Sequence, residues 1–219
     1  MIRSSDSESE GPRIITGLVS HRFRAGRLQI RIDDRYAFEL SRKQVTALDL
    51  FVGEELPPER YAAIEQRAAE EAAIGLLARR ERSEAELRVS LARKKFSAGV
   101  VSSVLQTLTV RGLQSDARFA TSWVQTRQRL SPRGRTALVH ELEQKGIQHE
   151  QISSSLRTLS SDDEREAIRA LIAARWRRRA QDDLRKSKQQ LLAFLARRGF
   201  SYEDIRAVLR EHFPEIEKV

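Results

Sequence analysis

The sequence predicts a mainly α-helical protein. Three tandem trihelical repeats form an elongated, curved array, and a small β-rich N-terminal subdomain precedes them. Three observations carry this reading. No proline interrupts the chain between Pro58 and Pro132, or between Pro132 and Pro214, so long helices are permitted. Apolar residues in these stretches fall at helical spacing, as in Val101, Val104, Leu105 and Leu108, or Ile168, Leu171 and Ile172. Finally, one segment occurs three times.

The repeat aligns without a gap. Ser83–Leu105, Gly134–Leu156 and Ser187–Leu209 are offset by 51 and 53 residues. Leu87, Leu138 and Leu191 align, as do Leu91, Leu142 and Leu195. The columns Phe96/Ile147/Phe200, Val101/Ile152/Ile205 and Leu105/Leu156/Leu209 follow. Each copy reads as helix, a break with an apolar plug, then helix. A further helix precedes each copy, at Tyr61–Arg82, Asp116–Arg129 and Asp162–Arg179. A unit of about 50 residues buries only a small core. In a tandem array each unit packs mainly on its neighbour, which suits long partners.

In chain order, residues 1–12 are acidic and serine-rich and read as a disordered tail. Residues 13–57 form the β-rich subdomain. Arg13–Ser20 is a strand. Arg27–Ile32 alternates, with Leu28, Ile30 and Ile32 on one face. Asp33-Asp34 makes a turn, and Tyr36, Phe38 and Leu40 return aligned on one face of a second hairpin strand. A short helix starts at Ser41 with Val45 and Leu48 inward, and Pro57-Pro58 opens the helical part. The repeats occupy 58–113, 114–160 and 161–219. Ser83-Glu84-Ala85-Glu86 and Ser161-Asp162-Asp163-Glu164 fit capping boxes. Gly146 and Gly199 fit left-handed C-terminal caps, and Ser115 fits the cap of a helix whose first turn holds Asp116.

Charge is uneven along the chain. The 219 residues carry a formal net charge of +9. Residues 1–60 contribute none of it, with ten basic and ten acidic residues, while residues 169–198 hold ten basic and two acidic. Such a field favours a polyanionic partner, although arginine-rich solvated helix faces give the same count. The basic clusters are Arg79, Arg80, Arg82, Arg93, Lys94 and Lys95 in the first repeat, and Arg127, Arg129, Arg133 and Arg135 around Pro132. The third repeat adds Arg175, Arg177, Arg178, Arg179, Arg185, Lys186, Lys188, Arg197 and Arg198. Several recur at the end of a first helix and the loop after it, so an array turns them into a stripe. The expected contacts with nucleic acid or an acidic protein surface are Arg79, Arg80, Arg82, Lys94, Lys95, Arg127, Arg129, Arg133, Arg135, Arg177, Arg178, Arg185, Lys186 and Lys188. Trp123 and Trp176 lie mid-way along equivalent helices. They read as core, with base-stacking platforms as the alternative.

Catalytic chemistry finds no foothold. Cysteine is absent, which excludes disulfides, thiolate zinc sites and cysteine nucleophiles. The ten glycines form neither GxGxxG nor GxxxxGK[ST]. His21, His140, His149 and His212 have no ligand partner at helical spacing, and no serine sits in a glycine-flanked elbow. No catalytic, cofactor-binding or metal-binding residue is expected. No apolar run approaches the roughly 20 residues that span a bilayer, so a cytoplasmic protein without a membrane partner is expected.

Gly112-Leu113-Gln114-Ser115-Asp116-Ala117-Arg118-Phe119-Ala120 resembles the G-[YL]-x-[DN]-D-x-R-F-A segment of the RecX family. Gly134–Ile147, with Leu138, Glu141-Leu142 and Lys145-Gly146-Ile147, resembles its G-x-x-x-[IL]-x-x-E-L-x-x-K-G-[IV] segment. Ser83, Leu87 and Leu91 match the opening segment. The resemblance covers about residues 60–213. It departs at Gln114-Ser115 and in a longer loop at Leu130-Ser131-Pro132-Arg133. It implies a non-enzymatic modulator of the RecA recombinase that lies in the groove of the RecA–DNA filament. Such a modulator restrains ATPase, strand exchange and co-protease activity. The implied partners are the RecA filament on single-stranded DNA and, weakly and without sequence preference, DNA itself, met by a monomer. The residues alone also allow a stand-alone DNA-binding helical protein such as a transcriptional regulator, since trihelical units resemble helix-turn-helix folds.

Overall fold

The computed structural model describes residues 12–176 and 184–218, which divide into two compact units. The acidic tail and Arg177–Arg179 lie outside the described residues. Residues up to Arg82, with Glu86–Gln114, form the first unit. Ser83–Ala85 and the residues from Ser115 onward form the second.

The first unit opens with strands β1 (Arg13–Ser20), β2 (Arg27–Ile32) and β3 (Arg35–Ser41), then helix α1 (Arg42–Ala47) and strand β4 (Glu55–Leu56). All pairings are antiparallel, in the order β3-β2-β1-β4. The β2–β3 hairpin turns through Asp33 and Asp34, both with positive φ (48° and 62°), as a two-residue turn matched to strand twist requires. Leu28, Ile30, Ile32, Phe38 and Leu40 are buried as their alternation predicts. Tyr36 is not. The register slips between Ile30 and Arg31, so Phe38 pairs with Ile30 and Tyr36 with Arg31. The bulge turns the Tyr36 side chain off the core face. Strand β4, only two residues long, has no periodicity to read.

Helices α2 (Pro58–Leu77), α3 (Glu84–Arg93) and α4 (Ala98–Val110) complete this part of the fold. The first helix thus starts at Pro58 and stops at Leu77, which leaves Arg79, Arg80 and Arg82 on the following loop. The sheet does not close a core of its own. Its inner face merges with Ile64, Ala68 and Ala73 of α2, Leu87 and Leu91 of α3, and Val101, Val104 and Leu105 of α4. The plug residue Phe96 stacks on Phe38 of the sheet, ring centroids 6.3 Å apart. Buried Glu65 of α2 accepts hydrogen bonds from the Ser97 backbone N–H (2.6 Å) and hydroxyl (3.2 Å) at the start of α4.

The second unit holds α5 (Asp116–Leu130), α6 (Arg135–Gln144) and α7 (His149–Leu156), then α8 (Ser161–Trp176), α9 (Leu184–Arg197), α10 (Tyr202–His212) and the short α11 (Pro214–Glu217). Two cores result. One gathers Phe119, Ala120, Val124, Leu138, Leu142, Ile147, Ile152 and Leu156. The other gathers Ile168, Ile172, Leu191, Leu195, Phe200, Ile205 and Leu209, closed by Ile216 of α11. Every residue of the five predicted apolar columns is buried, none more than 7% exposed. Ser115 caps α5 by accepting from the Arg118 N–H at 3.2 Å. The capping box of α8 sits one residue earlier than its sequence suggests. Ser160 accepts from the Asp163 N–H (3.1 Å), and the Asp163 carboxylate accepts from the Ser160 N–H (3.0 Å). The shorter aspartate closes the box, and Glu164 is left for another task. Among the described residues no helix is long and apolar enough to cross a membrane.

Candidate functional site

The positions that surround the basic residues are set by how one repeat meets the next. Asp116 at the start of α5 accepts the Glu84 N–H at 2.8 Å, the first amide of α3. Glu164 near the start of α8 accepts the Arg135 N–H at 2.9 Å, the first amide of α6. In both cases the first helix of one repeat caps the second helix of the repeat before it, satisfying a donor that the helix itself leaves open. The turns repeat too. Lys95, Gly146 and Gly199 all have left-handed backbones, with φ of 67°, 76° and 81°. A Cβ at Gly146 would stand 2.6 Å from the Ala85 Cβ. A Cβ at Gly199 would overlap the Ala137 backbone nitrogen. Lys95 has no preceding repeat to approach, and there a side chain is tolerated.

In the first unit, Arg79 and Lys94 line a cleft of 230 Å³ together with Arg24, Arg27 and Glu71. Glu71 is occupied by Arg27 at 2.5 Å and by the Ser41 N–H at 3.1 Å. Arg80 pairs with Glu86 at 2.9 Å. Arg82 is half-buried, and its Nε has no hydrogen-bond partner. Desolvation, and then the nearby Arg80 cation, push its guanidinium pKa down. Lys95 is exposed on its turn.

In the second unit, Glu141 organises one cluster. Its carboxylate accepts from the Trp123 indole N–H (2.8 Å) and from Arg127 Nε (2.7 Å), and stands 3.5 Å from Arg133 Nε. Arg127 also lies over the Trp123 ring at 4.6 Å, and Lys145 approaches it at 5.2 Å. Trp123 is half-buried against Phe119, so it belongs with the core and is covered by cations. Side-chain contacts of Trp176 lie outside the described residues. Arg135 acts within the fold. It donates to the Leu156 and Leu159 carbonyls (3.1 and 2.7 Å) at the end of α7 and pairs with Glu164 at 3.5 Å. Arg129 is exposed beside a cleft shared with Asp163 and Glu166. Arg185 and Lys186 are exposed on α9, and Lys188 is half-buried there. Arg177 and Arg178 lie outside the described residues.

Residues that sequence reasoning did not place in the expected contact set also gather here. Arg175 of α8 and Arg198 after α9 both lie over Phe194, at 4.3 and 4.6 Å from the ring centroid. Arg198 donates to the Pro132 carbonyl at 3.0 Å, which brings it to the loop that carries Arg133. Periodicity alone gives no sign that these residues meet, because the contact joins loops 66 residues apart.

Three family models, describing the first, second and third three-helix domains of RecX, match residues 69–108, 115–156 and 162–209. The chain belongs to the RecX family. It is 36% identical over 166 residues to the regulatory protein RecX of Amycolatopsis mediterranei (strain U-32), covering 74% of this chain and 92% of that relative. It is 36% identical over 147 residues to the regulatory protein RecX of Mycobacterium ulcerans (strain Agy99), covering 66% and 84%. A crystal structure of regulatory protein RecX shares the fold with a TM-score of 0.60 at 24% identity, over 91% of this chain and 100% of that one. RecX from Lactobacillus salivarius does so with a TM-score of 0.62 at 22% identity, over 72% and 99%. The sequence resemblance therefore identified the family, and the chain has a RecX-type regulatory role. The strands at 13–56 precede the first RecX domain match.

Proposed function

We propose that the chain is a non-enzymatic, negative regulator of RecA. It binds in the groove of the RecA–DNA filament and restrains ATPase, strand exchange and co-protease activity. Membership of a family of regulatory proteins, by all three of its helical domains, is the observation that carries this reading. The charge supports it. A net +9 concentrated in the last part of the chain suits a polyanionic assembly. Contacts come from the cations with no carboxylate partner among the described residues, such as Arg79, Lys94, Lys95 and Arg129. Arg177, Arg178, Arg185, Lys186 and Lys188 add to the same field. The protein works as a cytoplasmic monomer, and its own affinity for DNA is weak and indifferent to sequence.

A RecA ATPase assay on single-stranded DNA, with this protein at substoichiometric amounts, tests the reading. Inhibition well beyond one RecA per added molecule is expected, because a bound regulator interrupts a filament. Unchanged ATPase, together with preference for one duplex sequence, would instead point to a stand-alone DNA-binding regulator.

A further inference from the structure

Where the second and third repeats meet, the guanidiniums of Arg133, Arg175 and Arg198 gather. Arg175 and Arg198 share the Phe194 ring at 4.3 and 4.6 Å. Arg198 is tied to the Pro132 carbonyl and its own backbone carbonyl accepts the Gly134 N–H at 2.9 Å, so Arg133 is held beside it. Desolvation, and then the cations of Arg133 and Arg175, push the Arg198 pKa down. Like charges at this range repel, and the fold holds them there through the ring and the loop carbonyl. The Nε atoms of Arg133 and Arg175 are buried without a hydrogen-bond partner. Among the described residues, Glu141 stands 3.5 Å from Arg133 and is already engaged by Arg127 and Trp123. A pre-assembled arginine cluster is complementary to an anion with several oxygens, since guanidinium forks match phosphate geometry.

We propose that Arg133, Arg175 and Arg198 form a seat for the phosphodiester backbone of single-stranded nucleic acid. Exposed Arg197 adjoins it, and α9 carries Arg185 and Lys186 further along. Charges distributed over a helix of 14 residues, about 20 Å long at 1.5 Å per residue, suit a polymer of phosphates better than a single carboxylate. The seat extends the filament reading by making contact with the strand direct, and it rests on that reading only for its biological setting.

The test needs no RecA. Binding of the full chain to a fluorescein-labelled oligothymidylate is followed by anisotropy over a salt series, with a poly-glutamate competitor in parallel. Arg175 is half-buried and meets the Phe194 ring at 4.3 Å, and glutamine keeps a planar polar group there, so Arg175→Gln should fold. Arg133→Gln serves as a second variant, and circular dichroism checks both. Each variant should bind several-fold more weakly at low salt. The slope of log affinity against log salt should fall by about 0.7 for each lost single-strand phosphate contact. Wild-type affinity and slope in both folded variants would overturn the seat. So would no oligonucleotide binding by the parent chain, or displacement of the oligonucleotide by poly-glutamate as readily as by unlabelled oligothymidylate. RecA ATPase inhibition measured on the same variants reports separately on the filament reading.

Discussion

Alanine at Gly199 should destabilise the second unit severely, and the structure says by how much. Gly199 has φ of 81°, a region where an L side chain costs about 1–2 kcal/mol. The new Cβ would also stand 2.5 Å from the Ala137 Cβ and overlap the Ala137 nitrogen. Relieving such overpacking costs about 1–3 kcal/mol more. The sum is about 2–5 kcal/mol, or of the order of 10 °C in Tm for a chain this long. Gly146→Ala should behave alike, because its Cβ would meet Ala85 at 2.6 Å. Lys95 is the control. It has φ of 67° and no preceding repeat, so Lys95→Gly removes the strain. After the extra backbone entropy of glycine in the unfolded chain, it should stabilise by about 0.5–1 kcal/mol. Urea and thermal unfolding followed by circular dichroism at 222 nm give all three values. Losses under 1 kcal/mol in both glycine variants, or a destabilised Lys95→Gly, would refute the idea that close approach between repeats dictates these turns.

Other outcomes follow from the same geometry. Glu164→Ala should cost about 1–2 kcal/mol in urea unfolding, since it strands the part-buried first amide of α6, whereas Glu164→Gln keeps an acceptor there and should cost less. Asp163 is held below its ordinary pKa of 3.8 by the Ser160 hydroxyl and then the Ser160 N–H. A depressed carboxylate stabilises the fold above its unfolded pKa, and that stabilisation disappears as pH falls through the folded value. Ser160→Ala should therefore raise the Asp163 pKa in an NMR titration and weaken the dependence of stability on acid pH. Arg135→Ala should destabilise by about 1–2 kcal/mol by freeing the α7 carbonyls, while Arg129→Ala on the surface should stay within about 0.5 kcal/mol.

How much of this could be read from residues alone differs by level. The five columns were legible because burial of leucine and isoleucine at fixed spacing is a one-dimensional signal. Leu87, Leu138 and Leu191 are buried for the same reason in each repeat. The Asp33-Asp34 hairpin was legible because its turn is local. The bulge that exposes Tyr36 was not, since register depends on the partner strand. The α8 box was off by one because Ser160 and Ser161 both look like caps, and only the packing of Glu164 against α6 decides between them. For the charged residues the sequence supplied a census, and pairing supplied the meaning. Nothing local distinguishes Arg135, which closes a helix end, from Arg129, which does not.

That pairing also decides which arginines have an acid beside them. Many carboxylates of the repeats are drawn to helix starts and inward ion pairs. Asp116 and Glu164 cap the neighbouring repeat, Glu65 caps α4, and Glu141 holds Trp123 and Arg127. An acid committed to an amide can serve only an arginine within reach of that amide, as Glu164 serves Arg135. Each such carboxylate keeps its charge but is fixed at a helix start or a joint between repeats, where it cannot follow a surface arginine. The amount of positive charge is set by composition, and the repeat architecture sets where the carboxylates that oppose it are held. It follows that arginines must be tested in two classes. Arg127, hydrogen-bonded to Glu141, and Arg135, which donates to the carbonyls of Leu156 and Leu159, change the fold when altered, and a loss of regulation there says nothing about contact. Those without a hydrogen-bonded acid among the described residues, at Phe194 and on the open turns, are where a change in binding with unchanged stability would identify the surface that meets the partner.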